Sequence, residues 1–480
     1  MRTRRNSPKL EALRMIMRHS LAAGLAFVLL MNNGVSSVAV AEGDAPIRLM
    51  TLEPAHFHAA LIQKEMQPDV ATRVDVFAQP GADLNAHLKR IAGFNTRKDV
   101  PTRWQTELHT NAEPLAVMLA QRPGNVVVVS GRNAGKIEKL QAIVNAKLNV
   151  LADKPWIIEP TEFAKLEQTL DAADVNSVIA CDAMTQRFEV SCQLPRELVN
   201  DAAVFGELDK GSVEHPAVEM ESVHYFLKEV AGAPLLRPVW FFDVQQQGEA
   251  LADVGTHLVD LVQWTLFPEQ AVDYRKDIRL VSTSRWPTVL TLAQFERVTG
   301  EKDFPASVRS SVRDAKLECF ANNSVTYRLR GAFVKLTVKW GIEAPAGSKD
   351  TELAIFRGTM ARVEVRQGKE ENFVPEVYVI PANASVKTQV GAALKEKMAA
   401  LQKDYPGVAL REAGEGFQIT IPEKLRVSHE AHFALLTRRF LDYVRDPKSL
   451  PAWEKPNMLA KYFVTTEGVK LARENSAVSK

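Results

Sequence analysis

The chain has 480 residues with a formal net charge of +2, and 46% of its residues are hydrophobic against 25% charged. That length exceeds the ~100–200 residues of one domain, so the composition describes a soluble globular protein of two or more domains. The near balance of charge gives no footprint for nucleic acid or an acidic surface, and only the chain ends look disordered in composition.

In chain order, "MRTRRNSPKLEALRMIMRHS" is basic and "LAAGLAFVLLM" is an apolar run too short to span a bilayer comfortably. Ala39 and Ala41 supply a small-x-small cleavage site. Residues 1–41 therefore read as a signal cut between Ala41 and Glu42, leaving a periplasmic or otherwise exported chain without a membrane anchor. The other reading is an uncleaved anchor. Arg4 and Arg5 raise twin-arginine export beside the general route, although Pro8 and the long gap count against it. Cys181, Cys192 and Cys319 are odd in number, which favours buried free thiols with at most one bridge.

The mature chain alternates strands and helices. "IRLMTL", "RVDVFA", "NVVVVS" and "NVLADKPW" read as strands, while "HAALIQKEM" and "GKIEKLQAIVNAKL" read as helices. Regular alternation means parallel crossovers, so Ile47 to Ala183 should form a doubly wound α/β sheet with ligands at the carboxyl ends of its strands. The connection "PGADLNAHLKRIAGFNTRKDVPTRW" is long enough to be a lid. Farther on, helical segments at Gln186 to Asn200 and Glu249 to Leu266 bracket an irregular stretch. The runs "SVTYRLR", "FVKLTVKW", "TELAIFRG", "ARVEVRQG", "EVYVIP" and "FQITIP" then suit a large antiparallel sheet with one wet face. A helix, "SHEAHFALLTRRFLDYVRD", and a Pro-rich tail close the chain.

Several residues exceed what packing needs. In "GEALADVGTHLVDLVQW" the apolar face is Leu258, Leu261 and Val262, yet Asp253 and His257 lie one turn apart and Asp260 follows at the next turn. Lys154 stands between Asp153 and Pro155 at the end of a parallel strand, where a cation can hold a substrate hydroxyl. The first turn, "LEPAHFHAAL", has no glycine to let backbone approach a pyrophosphate. There His56, Phe57 and His58 either serve phosphates, aided by the helix N-terminus, or merely pack. Ser130, Gly131 and Asn133 follow the fourth strand as further contacts, while Asp182 and Arg187 either face substrate or form an interdomain salt bridge. His429 and His432 miss the His-Glu-x-x-His zinc spacing by one and Ser428 serves as an N-cap, so no metal is expected.

Three of these stretches, "LNVLADKPW", "TQRFEVSCQLPRELV" and "GEALADVGTHLVDLVQW", resemble in order the Glu-Lys-Pro, Arg-Phe and Gly-x-His-x-x-Asp motifs of the Gfo/Idh/MocA oxidoreductases. Asp153 stands where that family has Glu. The resemblance covers Ile47 to Trp264 and fits the rest as an open-faced second domain, and "HFHAAL" and "HEAHF" are similar to a branch of exported oxidoreductases with its own C-terminal extension. It implies a Rossmann-type dinucleotide domain at 42–183 and a substrate-binding and oligomerisation α+β domain at 184–480, whose sheet could pair copies of the chain. It also implies tightly held NAD or NADP, bound by His56, Phe57, His58, Ser130, Gly131, Asn133, Asp153 and Pro155. The choice between the two is open, because Asp75 falls inside the second strand and Asp83 lies beyond it. Chemistry at a hydroxyl-bearing sugar carbon would rest on Lys154, His257 and Asp253, with Arg187, Asp182 and Asp260 on the substrate. Two other readings stand beside it: a redox-neutral NAD-dependent glycoside lyase or hydrolase, and a non-enzymatic sugar-binding protein.

Overall fold

The computed structural model describes residues 46–230 and 233–478, so the signal expected at 1–41 lies outside the described residues. Six parallel strands, β1 (Leu49–Leu52), β2 (Arg73–Ala78), β3 (Gln105–Thr110), β4 (Val126–Val129), β5 (Asn149–Ala152) and β6 (Ala180–Asp182), pair in the order β3-β2-β1-β4-β5-β6. The order reverses between β1 and β4. That reversal opens a crevice beyond their carboxyl ends, which is where a doubly wound sheet takes its ligand.

Two corrections follow for the helices of this half. The segment expected to be a lid is an ordinary crossover helix, α2 (Ala82–Thr96), whose Leu84, Leu88 and Ile91 recur at helical spacing and seal against the sheet. The first crossover helix is much shorter than "HAALIQKEM": α1 spans only His58–Leu61. Its missing length is supplied from far along the chain by α9 (His429–Arg445), whose Phe433, Leu436, Phe440 and Leu441 share one core with Ile47, Leu49, Ala60 and Leu61. The helices α3 (Pro114–Gln121), α4 (Lys136–Asn145) and α5 (Phe163–Asn176) complete this half.

The second half is built on a ten-stranded sheet. Its main strands are β7 (Val218–Leu227), β8 (Ile278–Thr291), β9 (Lys316–Leu329), β10 (Ala332–Glu343), β11 (Thr351–Arg357), β12 (Ala361–Gln367), β13 (Glu376–Pro381), β14 (Ala409–Ala413) and β15 (Gly416–Thr420), in the order β8-β9-β10-β7-β11-β12-β13-β15-β14. Pairing is antiparallel except between β10 and β7, where Val334 lies opposite Val218 and Leu336 opposite Met220. The stretch expected to be irregular thus contains an inner strand of the sheet, β7. Its alternation, "VEMESVHYFL", was masked by the charged residues that face away from the core.

One face of this sheet is covered by α6 (Val190–Val199), α7 (Ala250–Asp253) and α8 (Gly255–Leu266), with Leu258, Val259 and Val262 in the same core as Val325, Leu336 and Val338. The tail that read as Pro-rich is a long helix, α10 (Glu454–Val478). Pro456 lies in its first turn, where the missing N–H costs nothing. Met458 and Tyr462 of α10 join the core of the first sheet, while Ala460, Val464 and Val469 join that of the second, so this helix ties the two halves together. All three cysteines are free thiols, and no described helix is long and apolar enough to cross a membrane.

Candidate active site

Where β5 ends, the turn Asp153-Lys154-Pro155 is fixed from beneath by Lys136, the first residue of α4. Its buried Nζ donates to Asn133 Oδ1 (2.7 Å), Asp153 O (2.9 Å) and Pro155 O (2.9 Å), and burial pushes its ammonium down to about 8. With the turn so held, Lys154 reaches across to the second domain. Its Nζ donates to Asp253 Oδ1 at 2.6 Å and to Asp253 O at 3.0 Å, although the two residues are 99 apart in sequence. Burial pushes the Asp253 carboxyl up, but the Lys154 ammonium outweighs it and holds that carboxyl below its usual range.

His257 is half-buried on the first turn of α8. Burial, reinforced by the Lys154 charge, holds its imidazole well below the ordinary value, so the ring is neutral, and no hydrogen bond reaches it among the described residues. A neutral base with a free ring nitrogen beside a lysine–carboxylate pair is a proton-transfer arrangement.

On the other side of the turn, Asp153 gathers a second group. Its Oδ2 accepts from His56 Nδ1 (2.8 Å), His58 Nδ1 (3.0 Å) and Ser130 Oγ (3.1 Å), while its Oδ1 is buried with no partner. Burial pushes the Asp153 carboxyl up, yet the two imidazoles outweigh it and keep the group ionised. His58 is driven down to about 3, chiefly by burial. The Nε2 of His58 lies 3.3 Å from that of His429, which α9 carries in from the C-terminal part of the chain. Phe57 packs against both the His56 and His58 rings and under Arg90. The loop after β4 locks onto the second domain, because Asn133 Nδ2 donates to Gln247 O at 2.7 Å and Asn133 N to Gln246 O.

A crevice of about 200 Å³ lies beyond the ends of β1, β2 and β4, lined by Ala55, Gln79, Asp83, Gly131, Arg132 and Lys139 among others. Gly131 keeps the turn close there: a Cβ would stand 3.0 Å from Glu53 O and 3.1 Å from Ala55 Cβ, tight enough that the backbone would have to give. The expected help from a helix N-terminus fails, since a four-residue α1 has neither the free amides nor the dipole of a full helix.

Arg187, Asp182 and Asp260 do come together, on one another and on α10, and Asp182, Arg187 and Glu454 also line a cavity of about 400 Å³. Arg187 grips Asp260 with Nε and Nη2, both at 2.7 Å, and Glu454 with Nη1 at 2.6 Å. Lys461 joins Asp182 (2.7 Å) to Asp260 (3.2 Å), and the Tyr462 hydroxyl donates to Asp182. Of the two readings of Arg187 and Asp182, the geometry includes the interdomain salt bridge, and the cavity wall carries the same two side chains. Lys136, Lys461 and Glu454 escaped the sequence reading, the last two because their helix looked like a tail. The one signal for the place of His429 beside His58 was the pair of His-rich stretches at either end of the chain. His432, one turn on, is buried among helix contacts with its Nε2 unpartnered.

Residues 194–473 match the family model described as "Putative oxidoreductase C terminal domain". No curated protein matches the chain. Among solved structures, a "putative oxidoreductase" from Parabacteroides merdae is 43% identical with a TM-score of 0.87, covering 90% of this chain and 98% of its own. GenD2 from gentamicin A biosynthesis, solved in complex with NAD, shares the fold at 16% identity and a TM-score of 0.54 over 89% of this chain and 95% of its own. KijD10, a 3-ketoreductase from Actinomadura kijaniata solved with NADP and TDP-benzene, does so at 13% and 0.51 over 87% and 96%. With that identity to a relative aligned over nearly its whole length, a family model matched over more than half of the sequence, and the three motifs converging at one end of the first sheet, the chain belongs to the Gfo/Idh/MocA-type oxidoreductases.

Proposed function

We propose that this oxidoreductase is an exported, nicotinamide-dependent enzyme that moves hydride to or from a hydroxyl-bearing carbon of a sugar or sugar derivative. The observation that carries the reading is the contact of Lys154 Nζ with Asp253 Oδ1 at the carboxyl end of β5, with the neutral His257 one helical turn further on. His257 takes the hydroxyl proton on its free ring nitrogen as the carbon is oxidised and returns it in the reverse direction. Lys154 donates to the same oxygen and stabilises its developing negative charge, while Asp253 keeps the ammonium oriented. The nicotinamide, when bound, supplies the hydride acceptor or donor.

The residues present fit a dinucleotide at the crevice. Ala55 and Gly131 leave room for close approach, Asp83 is the first carboxylate past β2 and suits a ribose hydroxyl, and Arg132 offers a cation to phosphate. Without a glycine-rich turn or a full first helix, phosphate binding falls to side chains. An exported enzyme meets no free cofactor pool, which favours tight retention. The test is to purify the chain beginning at Glu42, dialyse it at length, denature it and assay the supernatant for NAD and NADP. Near-stoichiometric dinucleotide supports the reading. A protein that is empty and gains no thermal stability on adding either dinucleotide overturns it, since any ligand of the native state must raise apparent stability.

A further inference from the structure

We infer that His56, His58 and Asp153 form a binding site for a divalent transition-metal cation at the carboxyl ends of β1 and β5, with His429 as its outer partner. No metal was expected from the sequence, because Asp153 stands 97 and 95 residues from the two histidines and only the fold brings them together. One ligand atom from each of the three lies within 4.8 Å of the other two. The Nδ1 atoms of both imidazoles point at the same carboxylate, and Ser130 Oγ donates to it from behind.

A second observation is independent of that convergence. Asp153 is 8% exposed, and its Oδ1 has no hydrogen-bond partner. A buried carboxylate oxygen left without a donor forfeits solvation that nothing on the protein replaces. Both imidazoles face Oδ2, so a cation held by them and chelated by both carboxylate oxygens supplies the partner that Oδ1 lacks. The donor set selects the class of ion: two nitrogens and one carboxylate without thiolate suit zinc, iron(II), manganese or cobalt, whereas magnesium and calcium prefer oxygen alone. Three protein ligands also leave coordination positions open, and the His56 side chain, 33% exposed, marks a way in.

The surroundings are those of a ligated imidazole. A ring bound to metal through Nδ1 carries its proton on Nε2, and a fixed acceptor there sets the tautomer and the ring orientation. In His58 that atom faces His429 Nε2 at 3.3 Å, and Phe433 holds the ring from one side. The distant helix α9 thus supplies both the cover over the shortened α1 and the outer contact of its histidine. The site goes beyond the hydride-transfer reading and does not rest on it, because the three ligands need no dinucleotide.

The experiment uses the chain from Glu42 onward, stripped with a chelator, dialysed, and titrated with Co²⁺ while visible absorption is followed, then with Zn²⁺ in competition. The expected result is one ion per chain and a ligand-field band that Zn²⁺ abolishes. His58→Ala and His56→Gln should each weaken Co²⁺ binding by at least about tenfold, and His429→Ala by about tenfold through loss of the outer contact. Circular dichroism establishes that each variant is folded. If His58→Ala does not fold, the more exposed His56→Gln decides alone. Absence of saturable binding in the folded parent, or unchanged binding in folded His56→Gln, overturns the site and leaves a hydrogen-bonded carboxylate instead. Either result is independent of whether the protein retains a dinucleotide.

Discussion

Two charged clusters lie side by side where the first sheet meets the second domain, and they are built on opposite terms. In the cluster of Arg187, Asp260, Lys461, Asp182 and Glu454 every charge is paired, and the side chains of Lys461 and Asp260 are 1% and 2% exposed. In the other, Lys154 and Asp253 keep 11% and 13% exposure, the His257 ring has no hydrogen bond among the described residues, and Asp153 has one oxygen with three donors and one with none. Buried ion pairs are costly to assemble and very costly to break, so the first cluster is a fastening. Groups left incompletely paired at the ligand end of a sheet are held ready for something else.

The largest effect should come from the incomplete cluster. Lys154→Ala and His257→Ala are expected to lower turnover of a sugar substrate by ~10²–10⁴-fold, the usual contribution of positioned acid–base and electrophilic groups. The thermal midpoint of His257→Ala should move by only a few degrees, since its ring makes no hydrogen bond and belongs to no apolar core, whereas Lys154→Ala also strips the buried Asp253 carboxylate of its ammonium and should cost stability as well. Steady-state kinetics beside a melting curve on the same samples test this. Retained turnover, or a large stability loss in His257→Ala, would erase the contrast.

The complete cluster should behave in the opposite way. Asp260→Ala leaves the Arg187 and Lys461 charges buried with one anionic partner fewer each, and a loss of ~3–5 kcal/mol in urea unfolding is expected. The double variant Asp260→Ala with Lys461→Met should recover part of that loss, because the two costs share one interaction. Additive losses would show that the network is not coupled.

Acidification separates the clusters again. His58 has an ordinary value of 6.5 and is lowered to about 3 in the folded chain, so between those limits the unfolded chain binds the extra proton and stability falls as pH falls. Asp153, held well below its usual range, adds to the loss only at lower pH, as the medium approaches the ordinary carboxyl value of 3.8. Unfolding free energy measured from pH 6.5 down to about pH 4 should drop by ~2–3 kcal/mol from His58, allowing for relaxation, and His58→Gln should flatten that slope. A slope unchanged in His58→Gln would place the titrating group elsewhere.

How much of this could be seen in advance depended on the distance over which each feature is decided. The strands β1, β2, β4 and β5, and the helix carrying His257, follow from periodicity within a dozen residues, and Lys154 and Asp253 were singled out by motifs that are local in sequence. What escaped was decided at long range. A four-residue α1 is possible only because α9 covers the same sheet, and nothing near His58 announces a helix some 370 residues later. The inner strand β7 hid behind charges that face away from the core. Arg187, Asp182 and Asp260, grouped as substrate contacts, meet in one salt-bridge network, but their partner Lys461 sits in a helix whose flanking prolines made it look like a tail. Pro456 marks only its first turn. The meeting of His56, His58 and Asp153 is likewise a product of topology, since β1 and β5 both flank β4.

The smallest expected effect is the sharpest test of the contrast between a filled and an underfilled cluster. Ser130→Ala removes one of the three donors to Asp153 Oδ2 and leaves the two imidazoles in place. Because the carboxylate keeps two partners and the lost hydroxyl takes no other buried group with it, the loss should stay near ~0.5–1.5 kcal/mol, the net worth of one hydrogen bond. The same change in a fully paired network would expose an uncompensated charge and cost several times more. Removing a donor to the ionised form should also let the Asp153 carboxyl rise, so the acid limb of the stability curve should shift toward higher pH relative to the parent. Urea unfolding at neutral pH and at about pH 4 reads both quantities. A neutral-pH loss above ~3 kcal/mol would mean that Asp153 is a structural centre like Asp260, and the distinction drawn between the two clusters would fail.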